Sequence, residues 1–377
     1  MVAMEKSTNN RDVKRSNRID TLRAILEAGR VSQPALAARL GHSGPTVLQN
    51  VRELMALGLV EEAGEFESTG GRKARAFAPV RTARAAAGLE ITRAHVGAVV
   101  IDLSGALLHH ERLSVPFEMT DAYFRRLGEI ARGLPQRAGV PAERMLGVGV
   151  SLPGAVDATE TVLISSHVLG LRNVATENFT RYVPGPCSFI NDANAAGLAE
   201  ARGRADLDSS VYLSLSNSVG GAIFTGGRLY MGGRLRAGEF GHNTLVPDGR
   251  PCYCGKRGCL DAYCNAELLS GLTGGNLAAF FEGVRAGDER LTAAWREYLE
   301  HLAVAVNNLY MTFDCPVVAG GYVGSYLEEF GGGLRELLAQ RNTFEPDASY
   351  LKFCRYKVGA SAVGAALLRV EDFLLSL

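Results

Sequence analysis

The chain has 377 residues, of which 47% are hydrophobic and 21% are charged, and its 40 Lys and Arg balance 40 Asp and Glu. Domains run roughly 100 to 200 residues, so this length excludes one ordinary domain, and the composition excludes a disordered chain. No apolar run approaches the roughly 18 residues that span a bilayer, and the charged N-terminus lacks the apolar segment of a secretory signal, so we expect a cytoplasmic protein without membrane contact.

Charges and cysteines are both unevenly distributed along the chain. Residues 1–85 carry 14 Lys and Arg against 9 Asp and Glu, a net charge of +5, and the remainder carries 26 against 31, a net charge of −5. A modest basic excess is compatible with contact to phosphates and equally with an ordinary solvated surface. Four of the seven cysteines fall between residues 252 and 264. Such an odd, clustered set indicates metal binding rather than disulfides.

Residues 17–58 predict three short helices. The first ends at Gly29, the second runs from Ser32 to Gly41, and the third is capped by Ser43. Helix, tight turn and helix form the helix-turn-helix pattern, in which the second helix enters the major groove and its early residues meet base edges. A generic three-helix bundle would give the same pattern.

The third helix has a polar and an apolar side. The candidate DNA contacts are Ser43, Thr46, Gln49, Asn50 and Arg52. The apolar positions, which should pack against the other two helices, are Val47, Val51, Leu54 and Met55.

A hairpin follows this helix and favours the DNA-binding interpretation over the bundle. Its tip, residues 70–73, reads GGRK. Basic side chains on such a tip can reach phosphates or the narrow minor groove, where the negative potential is strong. The sequence therefore predicts a winged helix-turn-helix domain over residues 1–82, with operator DNA as its partner and Arg72 and Lys73 as further DNA contacts.

From residue 85 onward, short β-branched runs are separated by glycines. The segment GLEITRAHVGAVVIDLSGALLHHERLSV predicts three consecutive strands, and a helix follows near residues 121–138. MLGVGVSLPGAV and CSFIND predict buried strands, SVYLSLSNSVGGAIFTGGRLY predicts a hairpin, and CPVVAGGYVGSYLEEF predicts a strand, a glycine turn and a helix. This alternation indicates an α/β architecture with two related halves, joined by a loop-rich segment over residues 232–264.

The stretch GHNTLVPDGRPCYCGKRGC in that segment predicts a metal site. One imidazole and three thiolates, from His242, Cys252, Cys254 and Cys259, make a four-coordinate set that suits zinc. Four protein ligands leave no open position, so the ion should be structural. Redox-active or merely buried thiols are the alternative.

Carboxylates form a second candidate site. Asp192 follows the strand SFIN, where open α/β sheets place ligand-binding groups, beyond a strand's carboxyl end. An Asp that caps the helix starting at Ala193 is an equally good interpretation of that position. If the metal loop folds as expected, Glu239, His242 and Asp261 lie around one pocket.

Together these motifs resemble the ROK family of repressors, open reading frames and sugar kinases, specifically its winged-helix transcriptional regulators. The resemblance covers almost the entire chain, through SQPALAARLGHSGPTVLQNVRELMALGLV and GGRKA, then VSLPGAV, NDANAA, AGEFGH, CYCGKRGCLDAY, VVAGG and GASAVGAALL. It implies a two-lobed actin-like or ribonuclease-H-like domain at 83–377 and assembly as homodimers or tetramers. The first lobe is expected at about 83–190 with helix 360–377, and the second at about 191–359 with the zinc loop at 239–264.

The resemblance also implies that a sugar binds between the lobes. Its ligands, carried over position by position, are Gly154, Asn191, Asp192, Glu239, His242 and Asp261. His242 would bind zinc through one ring nitrogen and a sugar hydroxyl through the other. In kinase members the residue matching Asp192 is the catalytic base.

The phosphate-binding loops depart from those of the kinase members. Their Asp-x-Gly-Gly-Thr loop is replaced by GLEITRAH, with Glu90 for the Asp and Thr92 and Arg93 for the glycines. The second loop reads SNSVGGA and has lost three of its five glycines. Asp261 stands where the family usually has Glu, which leaves the identity of the sugar open.

We therefore expect a transcriptional regulator of carbohydrate genes, a repressor, whose effector is a sugar or a sugar phosphate. It should have no catalytic residues. A sugar kinase with an appended DNA-binding domain, and a regulator controlled by a protein partner, are the alternatives.

Overall fold

The structure, a computed structural model, describes residues 10–66 and 74–377. The predicted DNA contacts Arg72 and Lys73 lie outside the described residues. Within the described ranges, no helix combines the length and the apolar character of a membrane span.

The N-terminal region forms three helices and a small antiparallel sheet of order β1-β3-β2. Its elements are α1 (Asn10–Ala28), β1 (Val31–Ser32), α2 (Gln33–Leu40), α3 (Gly44–Ala56), β2 (Val60–Glu65) and β3 (Arg75–Pro79). The hydroxyls of Ser32 and Ser43 accept hydrogen bonds of 3.3 Å from backbone amides of α2 and α3, so both serines cap these helices, as predicted for Ser43. Helix α1 begins earlier than predicted, at Asn10, because the polar run NRDVKRS extends it without adding apolar periodicity.

A five-stranded sheet of order β11-β7-β4-β5-β6 forms the first lobe, with a second small sheet of order β10-β9-β8. The elements are β4 (Ala85–Ile91), β5 (His95–Asp102), β6 (Leu107–Ser114), α4 (Asp121–Arg137), β7 (Met145–Leu152), β8 (Ala155–Val156), β9 (Val162–Ser166), β10 (Leu171–Ala175), α5 (Glu177–Thr180) and β11 (Cys187–Asn191). The three consecutive strands and the helix near 121–138 are confirmed.

A second five-stranded sheet, of order β14-β13-β12-β15-β16, forms the other half. The elements are α6 (Asp192–Ala201), β12 (Ser210–Leu215), β13 (Val219–Thr225), β14 (Arg228–Leu229), α7 (Asp261–Cys264), α8 (Glu267–Ser270), α9 (Leu277–Arg285), α10 (Glu289–Phe313), β15 (Val317–Gly320), α11 (Gly321–Gly324), α12 (Leu327–Phe330), α13 (Gly332–Arg341), β16 (Leu351–Phe353) and α14 (Ala360–Ser376). Two sheets with flanking helices confirm the predicted α/β class.

The C-terminal helix α14 returns to the first sheet and packs between it and α6. A side chain at Gly88 of β4 would place its Cβ 1.9 Å from the carbonyl oxygen of Ala362, and one at Gly364 would lie 1.7 Å from that of Ala195 in α6. Glycine is required at both positions because backbone meets backbone there. Helix α14 is therefore a rigid connection between the first sheet and α6.

One apolar cluster joins the winged-helix region to this first lobe. It includes the buried side chains of Leu22 and Ile25 in α1, Leu103 after β5, and Leu367 and Val370 in α14. The N-terminal region is therefore packed on the C-terminal helix over a shared core.

Candidate functional site

The four predicted metal ligands come together. The ligand atoms of His242, Cys252, Cys254 and Cys259 all lie within 4.8 Å of one another. The Sγ atoms of Cys254 and Cys259 are 3.7 Å apart, and the Sγ of Cys252 is 3.9 Å from Nδ1 of His242. A tetrahedron with metal–sulfur bonds of about 2.3 Å has edges of about 3.8 Å. The donor set and its spacing therefore fit a tetrahedral metal ion held through Nδ1 of His242.

Two isolated bridges and a close contact at a glycine bring the loop into this shape. Residue pairs Thr244–Cys259 and Pro251–Arg257 form isolated bridges. Gly258 has a φ of 78°, and a Cβ at this position would lie 1.8 Å from the carbonyl oxygen of Val246. Only glycine permits both the left-handed backbone and the contact. These bridges and glycines hold the sulfur atoms together within a segment that has almost no regular structure.

The carboxyl end of β11 presents the second candidate site. Asn191 caps α6 by accepting a hydrogen bond of 3.0 Å from the amide of Asn194. Its amide nitrogen donates to the carbonyl of Gly154 and to the carboxylate of Asp192, each at 3.1 Å. Capping by Asp192, the alternative considered above, is therefore wrong, since its neighbour already fills that role. Asp192 is the first residue of α6, and the residue as a whole is half-buried.

Negative charge accumulates around Asp192. The pKa of Asp192 is raised to about 7, chiefly by burial and in addition by the nearby carboxylates of Glu90 and Glu239. Asp261 is 3% exposed and accepts a 2.6 Å hydrogen bond from the amide of Val219, and burial raises its pKa as well. Carboxylates grouped in this way favour a ligand that donates hydrogen bonds from hydroxyls.

Glu239, His242 and Asp261 interact electrostatically with one another or with Tyr253. The charge of His242 acts on Asp261. Asp261 and Glu239 in turn act on the hydroxyl of Tyr253, whose pKa is raised chiefly by burial and then by these carboxylates. Tyr253 was not predicted as a site residue, although its position between two predicted metal ligands could have indicated it.

The positions of the kinase phosphate loop hold a different arrangement. The Thr92 hydroxyl accepts from the amide of His95 and donates to its carbonyl, each at 2.9 Å, and so closes the turn between β4 and β5. The Ser361 hydroxyl donates to the carboxylate of Glu90 at 2.6 Å. The guanidinium of Arg112, in the first lobe, lies 5.2 Å from the ring centre of Tyr322, in the second. No motif in the sequence predicts that pair.

The predicted DNA contacts on α3 do not all face outward. Ser43, Gln49 and Arg52 are exposed and Thr46 is half-exposed. Asn50 is 2% exposed, and its Nδ2 donates to Oγ1 of Thr21 at 3.0 Å. Its prediction as an exposed DNA contact is therefore wrong. Asn50 follows Val47 by three positions and precedes Leu54 by four, which puts it on the buried stripe of the helix.

The opposite end of α6 makes an ionic contact with the N-terminal region. Arg202, directly after α6, donates to Glu371 of α14 at 2.8 Å. The other oxygen of Glu371 binds Arg23 of α1. Burial lowers the pKa of Arg202, and the charge of Arg23 lowers it further. A single helix of ten residues therefore links Asp192 in the cleft to an ion pair on the winged-helix region.

Comparisons with known proteins agree with this arrangement. A family model described as "ROK family" matches residues 86–371, and one described as "Winged helix-turn-helix DNA-binding" matches residues 14–61. The chain is 25% identical over 267 residues to the xylose repressor of Bacillus spizizenii, which covers 68% of this chain and 67% of that protein. It is 28% identical over 291 residues to the N-acetylmannosamine kinase of Escherichia fergusonii, which covers 74% of this chain and 96% of that protein. A solved ROK family transcriptional regulator, a homologue of the E. coli MLC protein, superposes with a TM-score of 0.74 at 19% identity, over 97% of this chain and 98% of that one.

Proposed function

The chain belongs to the ROK family, and from that membership we propose that it is a DNA-binding transcriptional repressor of carbohydrate genes. Its effector is a sugar or a sugar derivative bound in the cleft between the lobes. The observation that carries the proposal is the packing of a winged-helix region, through a shared core, on the helix that also contacts α6. The similarity to xylose repressors supports the same assignment.

The sugar site of this proposal lies at the start of α6. Its ligands are Gly154, Asn191, Asp192, Glu239, His242 and Asp261. The carboxylates accept hydrogen bonds from sugar hydroxyls, and Asn191 positions Asp192 through their 3.1 Å contact. A ligand without those hydroxyls forgoes these hydrogen bonds, which is the basis for selectivity.

The metal of this proposal is one structural Zn2+ per chain, held by His242, Cys252, Cys254 and Cys259. When bound, the ion fixes the loop and the ring orientation of His242 and takes no part in chemistry. The 3.7 Å and 3.9 Å separations of the donor atoms support it. Nε2 of His242 is then the nitrogen left for the sugar.

Operator response follows from closure of the cleft. A sugar shifts the equilibrium only if it binds one lobe arrangement better than the other. Movement of the start of α6 toward the sugar displaces Arg202 at its end, and with it the ion pair of Glu371 and Arg23. This links the sugar to the position of α1, and thereby to the spacing of two winged helices in a homodimer or tetramer.

Sugar kinase activity is the second candidate, because N-acetylmannosamine kinases are among the relatives. Two features argue against it. Thr92 closes the turn that glycines keep open in kinases, and the Arg112–Tyr322 pair bridges the two lobes. We therefore propose that the chain is not an enzyme, with Asp192 as a ligand group and not a catalytic base.

Two further assignments go with the proposal. The DNA-binding domain comprises residues 1–82 and the sugar-binding domain residues 83–377, and the protein acts in the cytoplasm. DNA is contacted through Ser43, which caps α3, through Thr46, Gln49 and Arg52 of α3, and through Arg72 and Lys73.

Fluorescence anisotropy on DNA from upstream of the chain's own gene tests the function, at one fixed salt concentration because phosphate contacts dominate affinity. We expect tight binding relative to scrambled DNA, changed about 5- to 150-fold by one member of a panel of sugars and sugar phosphates. Gln49→Ala should weaken operator binding about 5- to 150-fold and leave scrambled DNA unaffected, because it removes a base contact.

Gln136→Ala, an exposed glutamine on α4, is the matched control and should change nothing. Equal binding to operator and scrambled DNA would contradict the repressor proposal. Selective binding that no sugar changes would favour a regulator controlled by a protein partner. Sugar-dependent release of ADP from ATP would favour the sugar kinase alternative.

A further inference from the structure

Tyr253 occupies the point where the metal loop, the sugar cleft and the first lobe meet. It stands between the ligands Cys252 and Cys254, yet 54% of it is exposed. Its hydroxyl oxygen lies 3.4 Å from Nε2 of His242, and the two rings meet edge to face with centres 5.4 Å apart. On its other side the ring centre lies 5.9 Å from that of His167.

These two histidines belong to different halves of the molecule. His167 is at the tip of the hairpin formed by β9 and β10 in the first lobe, whereas His242 is in the metal loop of the second. Tyr253 therefore bridges the cleft as an aromatic contact.

The tautomer of His242 determines which atom donates in its hydrogen bond with Tyr253. Its Nδ1 faces Cys252 and the other donors, so a metal there takes the lone pair of Nδ1 and leaves the proton on Nε2. Nε2 then donates to the phenol oxygen of Tyr253. At 3.4 Å this contact is longer than the roughly 2.9 Å of a strong N–H···O bond. The phenol therefore holds Nε2 weakly, and a better acceptor can replace it.

We propose that Tyr253 is a specificity-determining residue of the cleft: in the ligand-free chain its hydroxyl occupies the hydrogen-bonding position at His242 that a ligand hydroxyl takes over, while its ring holds the two lobes together through His167. The proposal rests on the proposed sugar-responsive function. To bind, a sugar hydroxyl must displace the phenol of Tyr253 from Nε2 of His242. The ligand class is a polyhydroxyl compound with an oxygen acceptor placed to reach Nε2. A sugar that lacks this oxygen leaves the phenol in place and does not open the contact with His167.

Tyr253→Phe in the full-length protein tests the competition, because it keeps the ring and removes the hydroxyl. D-Xylose, D-glucose and N-acetylmannosamine are titrated into wild type and variant by calorimetry, with zinc content measured in each sample. With no phenol to displace, the variant should bind the responsive sugar about two- to tenfold more tightly at unchanged zinc content. Tyr182→Phe, which likewise removes a phenol that takes part in a hydrogen bond, here with Asp121 of the first lobe, is the matched control and should bind as wild type does. Unchanged or weaker binding by Tyr253→Phe overturns the proposal.

A ligand-free measurement separates this inference from the sugar assignment. In protein labelled with 15N-histidine, the Nε2 proton of His242, identified by its loss in His242→Gln, should exchange with water faster in Tyr253→Phe than in wild type. Equal exchange shows that the phenol does not hold Nε2 and overturns the proposal. If none of the three sugars binds any form of the protein, the sugar-dependent part of the proposed function fails, and the exchange result alone decides the role of Tyr253.

Discussion

The charges at the two ends of helix α6 differ in whether opposite charges compensate them. At its start, Asp192 lies near the carboxylates of Glu90 and Glu239, which oppose its ionisation. At its end, Arg202 and Arg23 share the carboxylate of Glu371. The first arrangement is unfavourable in the absence of a ligand, since like charges in a partly buried place oppose ionisation. The second is compensated and stabilises the packing of the winged-helix region on α14.

This difference suits the start of α6 to ligand recognition and the end of α6 to transmission of a signal. Uncompensated acceptors gain hydrogen bonds when a ligand arrives, so the start of α6 changes its energy on binding. A compensated ion pair changes little by itself but fixes the relative position of two elements. One rigid helix between the two ends lets the first event alter the geometry of the second.

Loss of the metal should have the largest effect and should be confined to the cleft end. Cys254→Ser removes one of the four proposed zinc ligands and leaves the loop that positions His242 and Glu239 without its closure. We expect metal affinity to fall at least about 10- to 100-fold and sugar binding to be lost with it. Elemental analysis and calorimetry measure the two effects. Cys315→Ser, outside the metal group, should retain both, and a metal-free Cys254→Ser protein with full sugar response would contradict the role given to the loop.

Asp192→Asn sharpens the comparison by making the start of α6 neutral with little change of shape. A hydrogen bond from a hydroxyl to a charged carboxylate contributes about 1.5 to 3 kcal/mol, so sugar affinity should fall about 10- to 150-fold. Asp206→Asn, an exposed carboxylate paired with Arg204, is the control. Titration calorimetry measures the sugar affinity. Sugar binding by Asp192→Asn at wild-type strength would show that Asp192 is not a sugar ligand.

The sequence and the structure agree best where local chemistry decides the outcome. The caps at Ser32 and Ser43 and the cluster of His242 with its three cysteines follow from residue type and spacing alone. Asn50 shows where such inference fails. Its polar side chain suggested exposure, but its place on the apolar stripe, with Thr21 as partner, decided its burial.

Contacts between distant parts of the chain could not be predicted in this way. Glu371 is 169 positions from Arg202 and 348 from Arg23, and neither spacing carries a periodic signal. The contact of His167 with Tyr253 likewise depends on how the lobes come together. Motifs therefore indicate which groups can bind a ligand, whereas the fold decides which of them are connected.

The stability of the protein should depend on pH through the start of α6. The pKa of Asp192 is raised in the folded chain to about 7 from an ordinary value of 3.8, so folding favours its protonated form. This contribution is fully present below about pH 4 and is lost as the pH rises toward 7. Thermal unfolding of wild type and Asp192→Asn should show wild type losing stability relative to the variant over that range, by about 4 kcal/mol. Parallel pH profiles would show that Asp192 ionises normally and that the start of α6 is not strained by charge.

Glu371→Gln should produce the smallest effect. It removes the ion pairs at the other end of α6. The amide keeps a similar shape but leaves Arg23 and Arg202 facing each other without a shared anion, so we expect stability to fall by about 1 kcal/mol. Sugar affinity should remain as in wild type, because the cleft is untouched. The ratio of operator affinities with and without sugar should shrink about two- to tenfold, since an effect on coupling of about 1 kcal/mol corresponds to that range. Asp372→Asn removes a neighbouring ion pair with Arg369 within α14 and should leave this ratio unchanged. A full sugar response in Glu371→Gln would mean that the shared apolar core, and not the ion pair, carries the movement of α6 to the winged helix.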